Sequence, residues 1–210
     1  MNLSRHVYIK TTDFTHGFQG EPASKFLFFY RLWASFYDIS VKLDPAYCRN
    51  LHNMITRVVT SDSITLDVGC GTGLGTIHAA TIANKVISVD PSKDMLNKLK
   101  KKIRNRGITN VDVRKGYFPE VVGADEKFQS IFSSFMLAHL NKCQRTAMIQ
   151  DMFNLITSGG KIGLFSAQGE IATTFQTRDE IQHNLELAGF KDIVIQDVDD
   201  IYRISTAIKN

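Results

Sequence analysis

No run of apolar residues in this chain is long enough to span a bilayer, and Met1 to Lys10 lacks the basic start and apolar core of a secretory signal. Cysteine is scarce. Cys48, Cys70 and Cys143 are widely spaced and odd in number, which argues against a disulfide framework and against a zinc site. A reducing, cytoplasmic setting is the expectation that follows. Internal repeats and low-complexity tracts are missing as well. Neither sign of charge dominates: the net charge of +4 is compatible with acidic partners without demanding nucleic acid. What remains is a chain of 210 residues, 43% hydrophobic, suited to one globular domain with at most a small appendage, as a monomer or a homodimer.

Against that background stands Leu66-Asp67-Val68-Gly69-Cys70-Gly71-Thr72-Gly73-Leu74-Gly75-Thr76. An apolar run with an acidic residue near its end opens into alternating glycines and then a helical pattern, which reads as a strand, a tight turn and a helix start. Glycine there permits positive φ and close approach of a ligand to the main chain. The N–H groups of the following helix favour an anionic or polar group. The spacing excludes two common ligands. Frames starting at Gly69 or Gly71 place Leu74 or Thr76 where G-x-G-x-x-G needs its last glycine, so the dinucleotide fingerprint fails. No Lys-Ser or Lys-Thr follows, so the phosphate-cradling G-x-x-x-x-G-K-[ST] loop fails too. A glycine-rich turn without a ligand is the plainer alternative.

The rest of the chain supplies a frame for this turn. Residues 1–23 read as an extended arm or lid, and from Ser24 the spacing of Phe26, Phe29, Tyr30, Trp33, Phe36 and Tyr37 reads as an aromatic helix. Asp44-Pro45 supplies an N-cap and a proline at the first helical position, starting a helix that carries Leu51, Met54, Ile55, Val58 and Val59. From residue 61 strands alternate with helices. Strands are expected over 64–68, 86–90, 111–115, 128–133, 161–166, 193–198 and 201–207. Helices are expected over 73–82, 92–106, 141–157 and 178–188, the third closed by Ser158-Gly159-Gly160. This alternation predicts an α/β fold with a doubly wound, mostly parallel sheet. The last two strands have no helix between them, so one of them should run antiparallel. The division expected is a helical cap over 1–60 and a ligand-binding domain over 61–210.

Four segments in this order resemble the class I S-adenosylmethionine (SAM) methyltransferases. The acidic residue followed by x-G-x-G-x-G at Asp67 to Gly73 is similar to their first motif. Val86-Ile87-Ser88-Val89-Asp90-Pro91-Ser92 resembles their second strand with its acidic end. Phe128 to Ser134, leading to Leu137-Ala138-His139-Leu140, resembles the fourth-strand motif, and Asn154 to Lys161 the approach to the fifth strand. The resemblance covers residues 61 to the C-terminus and implies a Rossmann-like seven-stranded sheet, SAM as cofactor with S-adenosylhomocysteine (SAH) as product, and methyl transfer as the activity.

It also implies roles for individual residues. Gly69, Cys70, Gly71 and Gly73 would form the cofactor turn, and Asp90 would accept from the ribose hydroxyls, with a helix N-cap before Pro91 as the alternative. Asp67 would organise the turn and meet the SAM ammonium, or only stabilise the turn. Pro91 and Met95 would pack near adenine, Met95 being equally suited to the core. Ser133 and Ser134 complete the expected cofactor residues. At Lys115-Gly116-Tyr117-Phe118-Pro119-Glu120 the chain departs from the family, many of whose members carry an acidic residue after the glycine; Gly116, Tyr117 and Phe118 are the candidates for holding adenine there. His139 is a candidate general base, with a structural histidine as the alternative, and Tyr37 a candidate lid over the methionine end, with His16 and Tyr30 as weaker ones. The reaction needs alignment more than side-chain chemistry, because the methyl donor is already activated.

Several acceptors are disfavoured. The fourth strand ends in Ser133-Ser134-Phe135-Met136 rather than in an Asp/Asn-Pro-Pro-aromatic motif for nucleobase amines. No Pro-Cys nucleophile is present, and the serines cannot replace carboxylates that hold a divalent metal. The expected acceptor is a small molecule, methylated at O or N, with C also open. Alternatives are an RNA or protein substrate on the basic stretch from Lys98 to Arg106, or a non-catalytic SAM-binding scaffold.

Overall fold

The computed structural model describes residues 44–170 and 174–210. The expected arm, the aromatic helix from Ser24, and His16, Tyr30 and Tyr37 lie outside the described residues.

Helix α1, Pro45–Val58, begins where Asp44 caps it: Asp44 Oδ1 accepts the N–H groups of Ala46 (3.1 Å) and Tyr47 (3.2 Å). The carboxylate's other oxygen accepts the Tyr202 hydroxyl, which ties the helix start to the last strand of the sheet. Placed by the sequence in the N-terminal cap, α1 buries Leu51, Met54 and Ile55 completely against the sheet. Met54 occupies the space that a Cβ on Gly163 would need, so that glycine lets the helix approach.

The elements that follow are β1 (Ile64–Val68), α2 (Leu74–Ala79), β2 (Lys85–Asp90), α3 (Lys93–Arg106), β3 (Val111–Lys115), β4 (Phe128–Ser134), a 3-10 turn (Met136–His139), α4 (Lys142–Leu155), β5 (Ile156–Ala167), α5 (Arg178–Ala188), β6 (Lys191–Val198) and β7 (Tyr202–Ile208). They build a seven-stranded sheet in the order β3-β2-β1-β4-β5-β7-β6. All neighbours from β3 to β5 are parallel, and β7 runs antiparallel to β5 and β6. The helix-free connection before β7 therefore produces the antiparallel strand that the sequence implies.

The chain reverses its winding direction between β1 and β4, and at such a point the carboxyl ends of neighbouring strands diverge and leave a crevice. Register brings Val68 beside Val89 and Ser133, and Asp90 beside Lys115, so the residues expected to bind cofactor share one edge. One apolar layer includes Leu66, Val68, Ile131, Ile149, Met152 and Leu185, and the other includes Leu51, Met54, Phe132, Phe165 and Ile204. Small hydroxyls buried in the sheet pair with each other: Thr65 Oγ1 and Ser130 Oγ share a bond of 2.7 Å, and Ser63 Oγ lies 3.0 Å from Thr65 Oγ1.

Several boundaries differ by one to three residues from expectation, α2 ending at Ala79 rather than at Ile82, and the largest difference lies between α4 and β5. The helix expected over 141–157 ends at Leu155, and β5 starts at Ile156 rather than after the glycines. Ile156 pairs with Phe128, and the register then shifts before Ser130 meets Lys161. Gly159 takes φ of 76°, so its N–H reaches Lys209 O (2.6 Å), while Lys209 N–H donates to Gly160 O (2.9 Å). The Gly-Gly pair is thus a bulge paired to the end of the chain, not a turn.

Asp44→Ala is expected to lower stability by about 0.5–2 kcal/mol, the range for losing an N-cap. Asp44→Asn, which keeps a capping oxygen, should recover most of it; urea denaturation of the three proteins checks this.

Candidate active site

Four neighbours shape the glycine turn between β1 and α2. Both Gly69 N–H (2.9 Å) and Cys70 N–H (3.1 Å) donate to Val89 O, which pins the turn to β2. Lys102 reaches across from α3 and donates its Nζ proton to Thr72 O (2.9 Å), so one cation of the basic stretch serves the turn. Gly71 N–H donates to Asp90 Oδ2 (2.9 Å). Met136, from the 3-10 turn after β4, fills the notch beside Gly69, where an added Cβ would stand 2.5 Å from its Cγ.

The alternating glycines have different tasks. Gly69, Gly71 and Gly73 all take positive φ, at 74°, 53° and 84°. A Cβ on Gly73 would overlap fully buried Leu99, and one on Gly75 would stand 2.8 Å from Phe132, so these two permit packing of the helices. Gly71 is different. No described residue lies within 4 Å of where its Cβ would stand. Its face is open at the carboxyl edge of the sheet, where a ligand has room to lie against the main chain.

Asp90 ends β2 and is 9% exposed. Beyond its bond to Gly71, its Oδ1 accepts Ser92 N–H (2.8 Å). The N-cap of α3 is Ser92 rather than Asp90, so the capping alternative does not hold; Asp90 instead fixes Ser92 through its N–H and lies beside the glycine turn. An ionised carboxylate has about four lone-pair sites, and the two N–H groups take two of them. Burial raises its pKa, and the two N–H bonds act against that rise.

Asp67 is more deeply enclosed. Its Oδ2 accepts Thr76 Oγ1 (2.6 Å), and Thr76 Oγ1 in turn accepts Ser88 Oγ (3.1 Å), so the carboxylate joins β1, α2 and β2. Burial pushes its carboxyl up to about 7, the Thr76 hydroxyl pulls it down, and the charge of Asp90 pushes it up again. Burial also holds the Cys70 thiol far above its ordinary range, with the two carboxylates adding to the effect, so it is no thiolate nucleophile.

The remaining expected residues surround this centre. Pro91 is half-buried and Met95 buried, with Met95 N–H donating to Ser92 Oγ (3.4 Å). Gly116 follows β3 and donates its N–H to Asp90 O (3.2 Å). Phe118 packs into the core with Leu66 and Val89, which leaves Tyr117, 44% exposed, as the accessible ring of that pair. Ser133 Oγ donates to Val68 O (2.8 Å) and closes the crevice between β4 and β1. Ser134 Oγ shares a bond of 2.9 Å with the Tyr47 hydroxyl. His139 ends the 3-10 turn, three residues beyond Met136, and desolvation lowers its imidazole to about 4.

Sequence reasoning did not single out the aromatic wall beside this edge. Phe135, directly after β4, sits at φ of 59° although it carries a large side chain, and its N–H donates to Phe165 O (2.8 Å). Its ring meets Tyr47 at 5.4 Å, Phe165 at 5.3 Å and Phe175 at 5.6 Å. Next to Phe175, Gln176 is buried and its Nε2 has no hydrogen-bond partner among the described residues. A pattern of single aromatics on separate elements carries no local periodicity, so the convergence is visible only in three dimensions. Among the described residues, no group of three or more His, Cys, Asp or Glu could hold a metal, and no helix is long and apolar enough to cross a membrane.

The comparisons agree with this geometry. A family described as "Methyltransferase domain" matches residues 65–160. An uncharacterized methyltransferase of Staphylococcus carnosus is 28% identical over 143 residues, which cover 66% of this chain and 66% of that protein. A malonyl-[acyl-carrier protein] O-methyltransferase of Hamiltonella defensa is 31% identical over 133 residues, covering 61% of this chain and 48% of that one. The structure of a DhpI–SAH complex superposes with a TM-score of 0.73 at 21% identity, covering 88% of this chain and 95% of the other, and so shares its fold. These likenesses support a class I SAM-dependent methyltransferase. The residues present fit that cofactor: an open glycine face, a buried carboxylate with lone pairs to spare at the strand end, and a neighbouring exposed tyrosine.

Two outcomes test the site's construction. Gly71→Ala should fold at a cost of about 1–2 kcal/mol for its left-handed backbone. Gly73→Ala adds the clash with Leu99 and should lose clearly more, as read by thermal denaturation. The second outcome concerns pH. Asp67 is raised in the fold from its ordinary 3.8 to about 7, so between those values the unfolded chain holds fewer protons and stability falls as pH rises. Asp67→Asn should remove that part of the slope, so its stability relative to wild type should grow from pH 4 to 7, when urea midpoints are compared across that range.

Proposed function

We propose that this protein transfers a methyl group from SAM to a small-molecule acceptor, at O or N, with C a further option, in a cytoplasmic setting. The observation that carries the reading is Asp90, whose carboxylate is fixed by Gly71 N–H at the open face of the turn. SAM supplies a methyl group already activated by its sulfonium, so the protein has to bind, align and exclude water.

Each residue has a task within that reading. Asp90 would hold the two ribose hydroxyls with the lone pairs that Gly71 and Ser92 leave. Gly69, Cys70, Gly71 and Gly73 would give the cofactor its close approach, and Asp67 would organise the turn from beneath. Pro91, Gly116 and Tyr117 would border adenine, with Met95 and Phe118 packed behind them, and Ser133 and Ser134 would close the floor towards the acceptor. There the rings of Phe135 and Phe175 offer an apolar wall, and Gln176 Nε2 an unspent donor for an oxygen of the acceptor. Tyr37 keeps its role as a lid over the methionine end as an expectation from the sequence.

The state of His139 narrows the acceptor. With its pKa near 4 the imidazole is neutral at physiological pH and a weak base. An acceptor that needs no strong base fits best: a carboxylate, an acidic phenol or a free amine. The Hamiltonella relative, named as a malonyl-[acyl-carrier protein] O-methyltransferase, supports oxygen as one such atom.

The test is calorimetric titration with SAH, paired with transfer of labelled methyl from SAM. Wild type should bind SAH, and Asp90→Ala should weaken binding by at least about 1.5–3 kcal/mol, the scale of hydrogen bonds to a charged group. Label should appear in the small-molecule fraction of a cell extract. Label in RNA or protein instead would overturn the acceptor, and absence of SAH binding would overturn the enzyme.

A further inference from the structure

Arg145 lies on α4, is 3% exposed and is not among the residues assigned to the cofactor. Its guanidinium makes three bonds in three directions. Nε donates to Leu137 O (3.0 Å) in the 3-10 turn after β4. Nη2 donates to Thr174 O (2.5 Å) in the segment after β5, and Nη1 to Glu180 Oε1 (3.1 Å) on α5. A buried ion pair of this kind is often no more stabilising than an apolar side chain of equal volume. Stability alone therefore gives a weak account of an arginine here, and the geometry gives a stronger one.

The two carbonyls it joins belong to the two sides of the site. The 3-10 turn is locked to the cofactor side through Met136, which fills the notch at Gly69, and it carries His139. Thr174 precedes Phe175, whose ring meets Phe135 in the acceptor-side wall. The other end of this segment has its own anchor: Arg203 Nη1 donates to Gln176 O (3.3 Å), as does Gly169 N–H (3.1 Å). Loss of Arg145 would leave Gln176 anchored and remove only the connection to the 3-10 turn.

We propose that Arg145 is a positioning residue that makes the acceptor-side segment 174–177 respond to cofactor bound at the glycine turn. The proposal rests on the SAM-binding reading above. Cofactor pressing on the turn steadies Met136 and Leu137, and the guanidinium carries that restraint to Thr174 and so to Phe175. Glu180 holds the guanidinium flat between the two carbonyls.

Hydrogen–deuterium exchange with and without saturating SAH tests this on the full chain. In wild type, SAH should slow exchange over 136–140 and over 174–177 together. In Arg145→Met, protection over 136–140 should persist while SAH-dependent protection over 174–177 falls by about fivefold or more, the lower end of usual coupling between sites. Arg145→Lys keeps the charge but cannot span three acceptors, so it should lose the same response and serves if the methionine variant does not fold. Glu180→Gln keeps an oxygen for Nη1 and should retain it. Equal protection of 174–177 in wild type and both Arg145 variants would overturn the proposal, as would wild type protected over 136–140 alone. A wild type that binds no SAH at all would overturn the cofactor reading and this proposal with it.

Discussion

The hydrogen bond from Gly71 N–H to Asp90 Oδ2 is the constraint from which the site follows. It joins the tip of β2 to the turn after its parallel neighbour β1, next to the point between β1 and β4 where the sheet changes winding direction. Because Oδ1 also accepts Ser92 N–H, one carboxylate orders the turn, the end of β2 and the first turn of α3. Such a group tolerates burial only because its oxygens are paired. The pairing also determines what is left over: about two of the carboxylate's four lone-pair sites, beside a turn where Gly71 carries no side chain. A second carboxylate, Asp67, holds the turn from beneath through Thr76 and Ser88. The two acidic residues divide the work between support and surface.

Around that centre the protein uses glycine in two senses. At Gly73 and Gly75 the missing Cβ lets Leu99 and Phe132 close in, so the substitution cost is one of packing. At Gly71 the missing Cβ leaves space. An alternating run therefore combines a folding requirement with a binding requirement. This explains why a strict dinucleotide pattern is not needed for a comparable turn.

Much of this was legible in the sequence, for physical reasons. β1 and β3 were readable because short apolar or alternating runs are bounded by glycine and polar residues, and α5 because Thr177 and Gly189 cap it. The antiparallel β7 followed from the lack of a crossover helix. Ser158-Gly159-Gly160 misled, because a bulge and a helix-ending turn ask for the same residues, and the partner that decides between them, Lys209, lies at the other end of the chain. Arg145 and Arg203 gave no signal at all. A single arginine in a polar helix or strand reads as surface, and only the fold turns each guanidinium inwards onto main-chain carbonyls. The aromatic wall was hidden for the same reason, since Tyr47, Phe135 and Phe175 are far apart in sequence.

The most direct measurement of the central claim is a crystal structure of the protein with SAH. The account predicts both ribose hydroxyls on the Asp90 carboxylate, with the adenosyl group passing over the open face of Gly71 and Asp90 still accepting Gly71 N–H. SAH bound elsewhere, or bound in the crevice with Asp90 making no contact to the ribose, would contradict it.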